Sequence, residues 1–166
     1  KFITALSFLL SGILLYFIAQ FEKSKRNFAS VVLPLVSLII ILLMAGLFAS
    51  TIIGINSGVE EFFIKDSMTA VKSVTPGRPS IATMINFILI AIAGLGISCF
   101  RSFYKVLRIL ATIIGAIGLI AIFGYMLNQP LLYFAVSGQS SAMALHTAIL
   151  FVFWGYGATS LGKRSR

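Results

Sequence analysis

The sequence predicts an all-α protein, a polytopic transmembrane bundle of about five helices built from repeated helical hairpins. Of its 166 residues, 59% are hydrophobic and only 10% are charged, whereas soluble domains contain about 25% charged residues. The charges are clustered, and the apolar stretches between them reach or exceed the roughly 20 residues that cross a bilayer. These observations exclude a water-soluble globular domain and predict a multi-pass protein of the plasma membrane.

Stretches without charge define the individual helices. Four such stretches are present: 2–21, 27–59, 79–100 and 109–162. The last is long enough for two spans, and the turn formers in 128–130 and 136–141 divide it. We therefore predict helices at 2–21, 28–55, 81–100, 105–127 and 142–161, within a single domain that covers residues 1–166.

Lysine and arginine are distributed unequally between the two sides of the predicted bundle. Nine of the thirteen fall in 22–27, 101–108 and 163–166. The positive-inside rule places these segments, including the C-terminus, in the cytoplasm. The first helix then starts outside, so we expect a further helix before Lys1. The basic tail 163–166 ends just after the fifth helix, and we expect a cytoplasmic output domain to follow Arg166. The net charge of +9 does not predict nucleic-acid binding, because the cations lie at helix ends rather than on a solvated basic face.

Three of the helices open with similar residues, which indicates an internal repeat. The openings are Thr4-Ala5-Leu6-Ser7-Phe8, Thr83-Met84-Ile85-Asn86-Phe87 and Thr147-Ala148-Ile149-Leu150-Phe151. The first two are each followed by a basic loop and a long returning helix, so the repeated unit is a helical hairpin in one orientation. Inverted repeats, which are common in secondary transporters, are not seen in the sequence.

The two outer connections are too short to form a separate ligand-binding domain. In 56–80, we expect Val59, Phe62, Phe63 and Met68 to form the apolar face of a short helix on the membrane surface. Ser80 is placed to cap the following helix. Arg78 is a candidate for binding a ligand anion, although a role in lipid contact or structure is favoured. If the protein senses a stimulus, the helices themselves or their outer ends must therefore detect it.

Few polar residues in the helices are candidates for ligand binding. His146 is the single histidine, which excludes a bis-histidine haem or a multi-histidine metal site within one chain; a hydrogen-bonded role is favoured over a ligand role. Asn86 is favoured as an interhelical hydrogen-bonding residue. Trp154 and Tyr156 are candidates for lining a pocket, with packing favoured.

Small residues in the last two helices predict close helix contacts. They are Ala111, Gly115, Gly118, Gly155 and Gly157. The threonines that open the repeats are expected to be architectural.

No catalytic or metal site is predicted, and the sequence identifies no cofactor. The four carboxylates lie in connections or at the interface, and no nucleophile motif such as Gly-x-Ser-x-Gly is present. None of the predicted spans carries a carboxylate or a cation at its centre, which disfavours ion-coupled transport.

Segments 1–12, 76–83 and 142–150 resemble the recurring segments of membrane-integral sensor domains that precede PAS, histidine kinase or diguanylate cyclase modules in prokaryotic receptors. This resemblance implies a homodimeric receptor that passes a stimulus to a cytoplasmic output domain in the same chain, such as a histidine kinase. No binding residue can be carried over from it. The alternative is a small transporter, or a membrane subunit of a redox complex with a bound quinone or haem.

Overall fold

The described part of the chain consists mainly of five long helices. The computed structural model describes residues 2–21, 28–54, 78–100, 103–134 and 141–164. The helices are α1 (Phe2–Phe21), α2 (Ala29–Ile53), α3 (Ile81–Cys99), α4 (Tyr104–Met126) and α5 (Leu145–Arg164), with a short 3₁₀ helix, Pro130–Tyr133, between α4 and α5. The described ranges contain no strand. The predicted all-α chain of five helices is confirmed.

Four of the described helices, α1 to α4, are long and apolar enough to cross a bilayer. The fifth, α5, has 20 residues but is less apolar, because it begins with His146 in its first turn and ends on Lys163 and Arg164. Four such helices indicate a multi-pass membrane protein. The predicted surface helix within 56–80, which includes Val59, Phe62 and Phe63, lies outside the described residues.

The start of α3 follows the predicted capping chemistry. The Ser80 side chain accepts a hydrogen bond from the Thr83 backbone N–H over 3.2 Å, which satisfies one of the N–H groups that a helix leaves unpaired in its first turn. Pro79, which cannot supply a backbone N–H, lies just before the cap. The cap fixes the position of the first turn of α3.

The start of α5 differs from the prediction: the helix begins at Leu145 and not at Ala142, and it ends at Arg164 and not at Leu161. The Met143 backbone is held by other elements. Its N–H donates to the Tyr133 carbonyl over 3.0 Å, and its carbonyl accepts from the Tyr125 hydroxyl over 2.7 Å. These contacts keep the segment before Leu145 out of the helix.

Glycines allow α4 and α5 to pack with their backbones in contact. A Cβ atom on Gly155 would lie 2.7 Å from the Ala111 carbonyl oxygen and 2.9 Å from the Gly115 Cα. One on Gly118 would lie 2.6 Å from the Ala148 carbonyl oxygen. The two helices are therefore antiparallel neighbours at a separation that only glycine permits. The small faces, which were predicted to permit close helix contact within or between protomers, contact each other within one chain.

The three helices that open alike, α1, α3 and α5, meet through equivalent residues. Phe8, Phe87 and Phe151 each lie four positions after the first threonine of their opening. Their rings form an aromatic triad with centroid separations of 4.8, 4.8 and 5.1 Å. Deeper in the bundle, the Trp154 indole N–H donates to the Ser11 carbonyl over 3.1 Å. The repeat in the sequence thus corresponds to a packed core of three parallel helices.

Candidate ligand cavity

A cavity of about 390 Å³ lies at the end of the bundle where α1, α3 and α5 begin. This volume falls within the roughly 300–1,000 Å³ of small-molecule sites. Its lining combines hydroxyl groups and an imidazole with apolar side chains. The lining residues are Thr4, Ala5, Phe8, Pro79, Ser80, Thr83, Ala142, Ala144, His146, Thr147 and Leu150.

The first threonine of each repeated opening contributes to the cavity wall. Thr4 and Thr147 are only 8% and 3% exposed, and within the described residues neither side chain forms a hydrogen bond. A threonine deeper in a helix usually donates to the carbonyl four residues back. For Thr147 this carbonyl belongs to Met143, which lies outside α5 and accepts from the Tyr125 hydroxyl. The hydroxyls of Thr4 and Thr147 are therefore available to an occupant of the cavity.

The third threonine is paired with the residue that caps its helix. The hydroxyls of Ser80 and Thr83 lie 2.7 Å apart, and either can be the donor. Whichever of the two donates, the pair retains one further O–H group, because each hydroxyl carries a single hydrogen. One donor is thus left on this side of the cavity.

His146, the single histidine, also lines the cavity and is surface-exposed at its mouth. In its neutral form the imidazole offers one donor and one acceptor. Arg78, a second sequence candidate, is buried with 7% exposure and lies one residue before the cavity residues Pro79 and Ser80. Of the five candidates, these two are in or next to the site.

Trp154 and Tyr156 do not line the cavity. The Trp154 side chain is buried with its indole N–H bonded to α1, so it joins two of the repeated helices. Tyr156 is 76% exposed on the outer surface of α5. Helical periodicity explains the difference, because positions two apart on a helix point in nearly opposite directions.

Asn86 is fully buried, yet neither its amide nitrogen nor its carbonyl oxygen has a hydrogen-bond partner in the described part of the chain. The interhelical hydrogen bond expected from the sequence is thus not formed there. The residue lies three positions after Thr83 but does not line the cavity. An unpaired buried amide is costly.

Replacing this amide with an apolar group of similar size should therefore stabilise the bundle. We expect Asn86→Leu to raise the free energy of unfolding by about 1 kcal/mol. Unfolding of the purified protein in mixed micelles measures this free energy. The control is Ser7→Ala at the equivalent position of the first opening, where the hydroxyl already donates to the Ile3 carbonyl over 2.8 Å. If Asn86→Leu is destabilising, the amide has a partner that stabilises the fold.

Sequence reasoning missed the cavity role of the three threonines and of Ser80, which it assigned to architecture and capping. The register of the three openings was the available signal, because parallel helices with equivalent residues at one end bring those residues together. A search for polar residues along a single helix would not have identified these four residues.

Among the described residues, no group of three or more His, Cys, Asp or Glu could hold a metal ion. The four carboxylates of the chain, Glu22, Glu60, Glu61 and Asp66, lie outside the described ranges. Comparisons with protein-family models, curated proteins and solved structures give no match to the chain.

Proposed function

We propose that the chain is a membrane-integral signal-input domain, in which a small ligand in the cavity changes the packing of α1, α3 and α5. The full receptor would be a homodimer in the plasma membrane with its C-terminus in the cytoplasm. A cytoplasmic output domain in the same chain, such as a histidine kinase, would receive the signal. In this proposal, residues 1–166 carry out no catalysis themselves.

One observation carries this proposal: the openings of all three repeated helices line the same cavity. An occupant therefore contacts all three at once. Phe8 belongs both to the cavity wall and to the aromatic triad beneath it, so a shift of this ring is passed to Phe87 and Phe151. Packed rings transmit such displacements because the interior of a bundle has little free volume.

The signal would leave at the far end of α5. This helix contributes Thr147 to the cavity and runs to Arg164 at the opposite end of the bundle. It contacts α1 through Trp154 and α4 through Gly155. A ligand changes this arrangement only by as much as it binds one packing more tightly than the other. The mechanism therefore requires at least two arrangements of α5 against α1 and α4.

A bulky side chain placed in the cavity should imitate an occupant. We expect Ala144→Trp to change the distance between spin labels on Cys99 and on Lys163→Cys by about 1–2 Å, the size of helix shifts in known switches. Both labels lie at the end opposite the cavity, and Cys99 is exposed and is the chain's single cysteine. Dipolar EPR of the protein in nanodiscs measures the distance.

The matched control is Ala116→Trp, which adds the same side chain to an exposed position of α4 and should leave the distance unchanged. An unchanged distance in a folded Ala144→Trp protein would contradict coupling between the cavity and α5. The gene gives a separate test: a reading frame that continues beyond Arg166 into a kinase or cyclase supports the receptor, and a stop codon there contradicts it.

A further inference from the structure

The starts of two helices favour a negative charge in the cavity. α3 and α5 both begin at its wall, and their first turns contribute Thr83 and Thr147. The first turn of a helix leaves N–H groups unpaired, and its dipole places roughly half a positive charge there. Two such ends beside one cavity create a positive potential.

Side chains supply further donors in the same place. Thr4 and Thr147 are more than nine-tenths buried, and their hydroxyls have no partner in the described part of the chain. The Ser80–Thr83 pair retains one O–H, and His146 adds a ring nitrogen. None of the described lining residues is acidic. Hydroxyl and backbone donors that converge without a carboxylate among the described lining residues match an oxyanion, which accepts several hydrogen bonds at once.

The rest of the lining is apolar and consists of Phe8, Leu150, Pro79 and alanines. We infer that the cavity binds a small amphipathic anion, with a carboxylate or phosphate head at the starts of α3 and α5 and an apolar body against Phe8 and Leu150. This inference rests on the proposed ligand role of the cavity and names the chemical class of the ligand. Helix N-termini are established positions for such head groups.

Benzoate is a suitable probe, because it combines a carboxylate with a small apolar body. Since His146 is the single histidine, ¹⁵N-labelled histidine gives one imidazole signal at the cavity. In nanodiscs of uncharged phosphatidylcholine, we expect benzoate to shift this signal saturably, and benzyl alcohol, the neutral analogue, to bind at least about tenfold more weakly. Equal affinities for the two compounds would overturn the inference, as would the absence of a benzoate-dependent shift.

Hydroxyl substitutions locate the head group. We expect Thr147→Val to weaken benzoate binding about tenfold and Thr147→Ser, which keeps the hydroxyl, to restore it. Thr112→Val removes a hydroxyl from an exposed position of α4 and should leave affinity unchanged. Thr4→Val provides a second test if Thr147→Val does not fold. Wild-type affinity in both folded valine variants would overturn the placement of the head group.

The same anionic chemistry could come from a lipid head group or from a soluble acid. Nanodiscs with phosphatidylglycerol distinguish them: a lipid occupant shifts the His146 signal without added benzoate and competes with it, whereas a soluble acid binds equally well in both lipids. Either result supports an anion site. If benzoate binds as expected but the distance between Cys99 and Lys163→Cys stays constant, the anion site stands and the proposed sensor function fails.

Discussion

Gly155→Ala is expected to destabilise the bundle by about 3 kcal/mol, the upper end of the usual cost of overpacking. The added Cβ would lie 2.7 Å from the Ala111 carbonyl oxygen and 2.9 Å from two backbone atoms of Gly115. All three belong to the backbone of α4 and cannot rotate away as a side chain can. The two helices must therefore separate, and the contacts along their shared face are lost. Unfolding in mixed micelles gives the free energy.

A glycine elsewhere in the bundle provides the matched control. A Cβ on Gly46, in α2, would have no atom within 4 Å. Gly46→Ala should therefore show only the gain in helix propensity, a stabilisation of about 0.5–1 kcal/mol. If Gly155→Ala lowers the free energy of unfolding and Gly46→Ala raises it, the loss results from backbone contact between α4 and α5. Equal effects would show that these helices do not pack as closely as the structure indicates.

The helices could be predicted from the sequence because a bilayer imposes a simple length rule. The helix bounds predicted from runs without charge and from turn formers lie within two residues of the observed ends of α1 to α4, since a charge rarely lies within a span. The start of α5 was placed three residues too early. Met143 is held by Tyr133 and Tyr125, and contacts with residues ten or more positions away leave no trace in a local pattern.

The candidate site was harder to predict for a related reason. His146 stood out because it is the single histidine, and it does line the cavity. Thr4 and Thr147 were read as architectural because a threonine in an apolar helix usually bonds to its own backbone. Only the packing of three helices shows that both hydroxyls face a shared space. The tertiary contacts decide which faces of α1, α3 and α5 meet at the cavity. The sequence pattern of a single helix does not determine those contacts.

The second large loss of stability is expected when a ring of the aromatic triad is removed. Phe87 is fully buried and packs against both Phe8 and Phe151 at ring separations of 4.8 and 5.1 Å. We expect Phe87→Ala to lower the free energy of unfolding by about 2–3 kcal/mol, below the roughly 3–5 kcal/mol of water-soluble cores. The value is smaller because separated helices in a bilayer expose their side chains to lipid and not to water.

Two further variants separate packing in the triad from the loss of an aromatic ring in general. Phe87→Leu keeps much of the volume and should cost less than half as much as the alanine variant. Phe153→Ala removes a ring that is 68% exposed on α5 and should change stability little. Because Phe8 forms part of the cavity wall, Phe87→Ala should also loosen that wall and weaken benzoate binding. A stable Phe87→Ala protein with unchanged binding would show that the triad neither holds the three helices together nor supports the cavity.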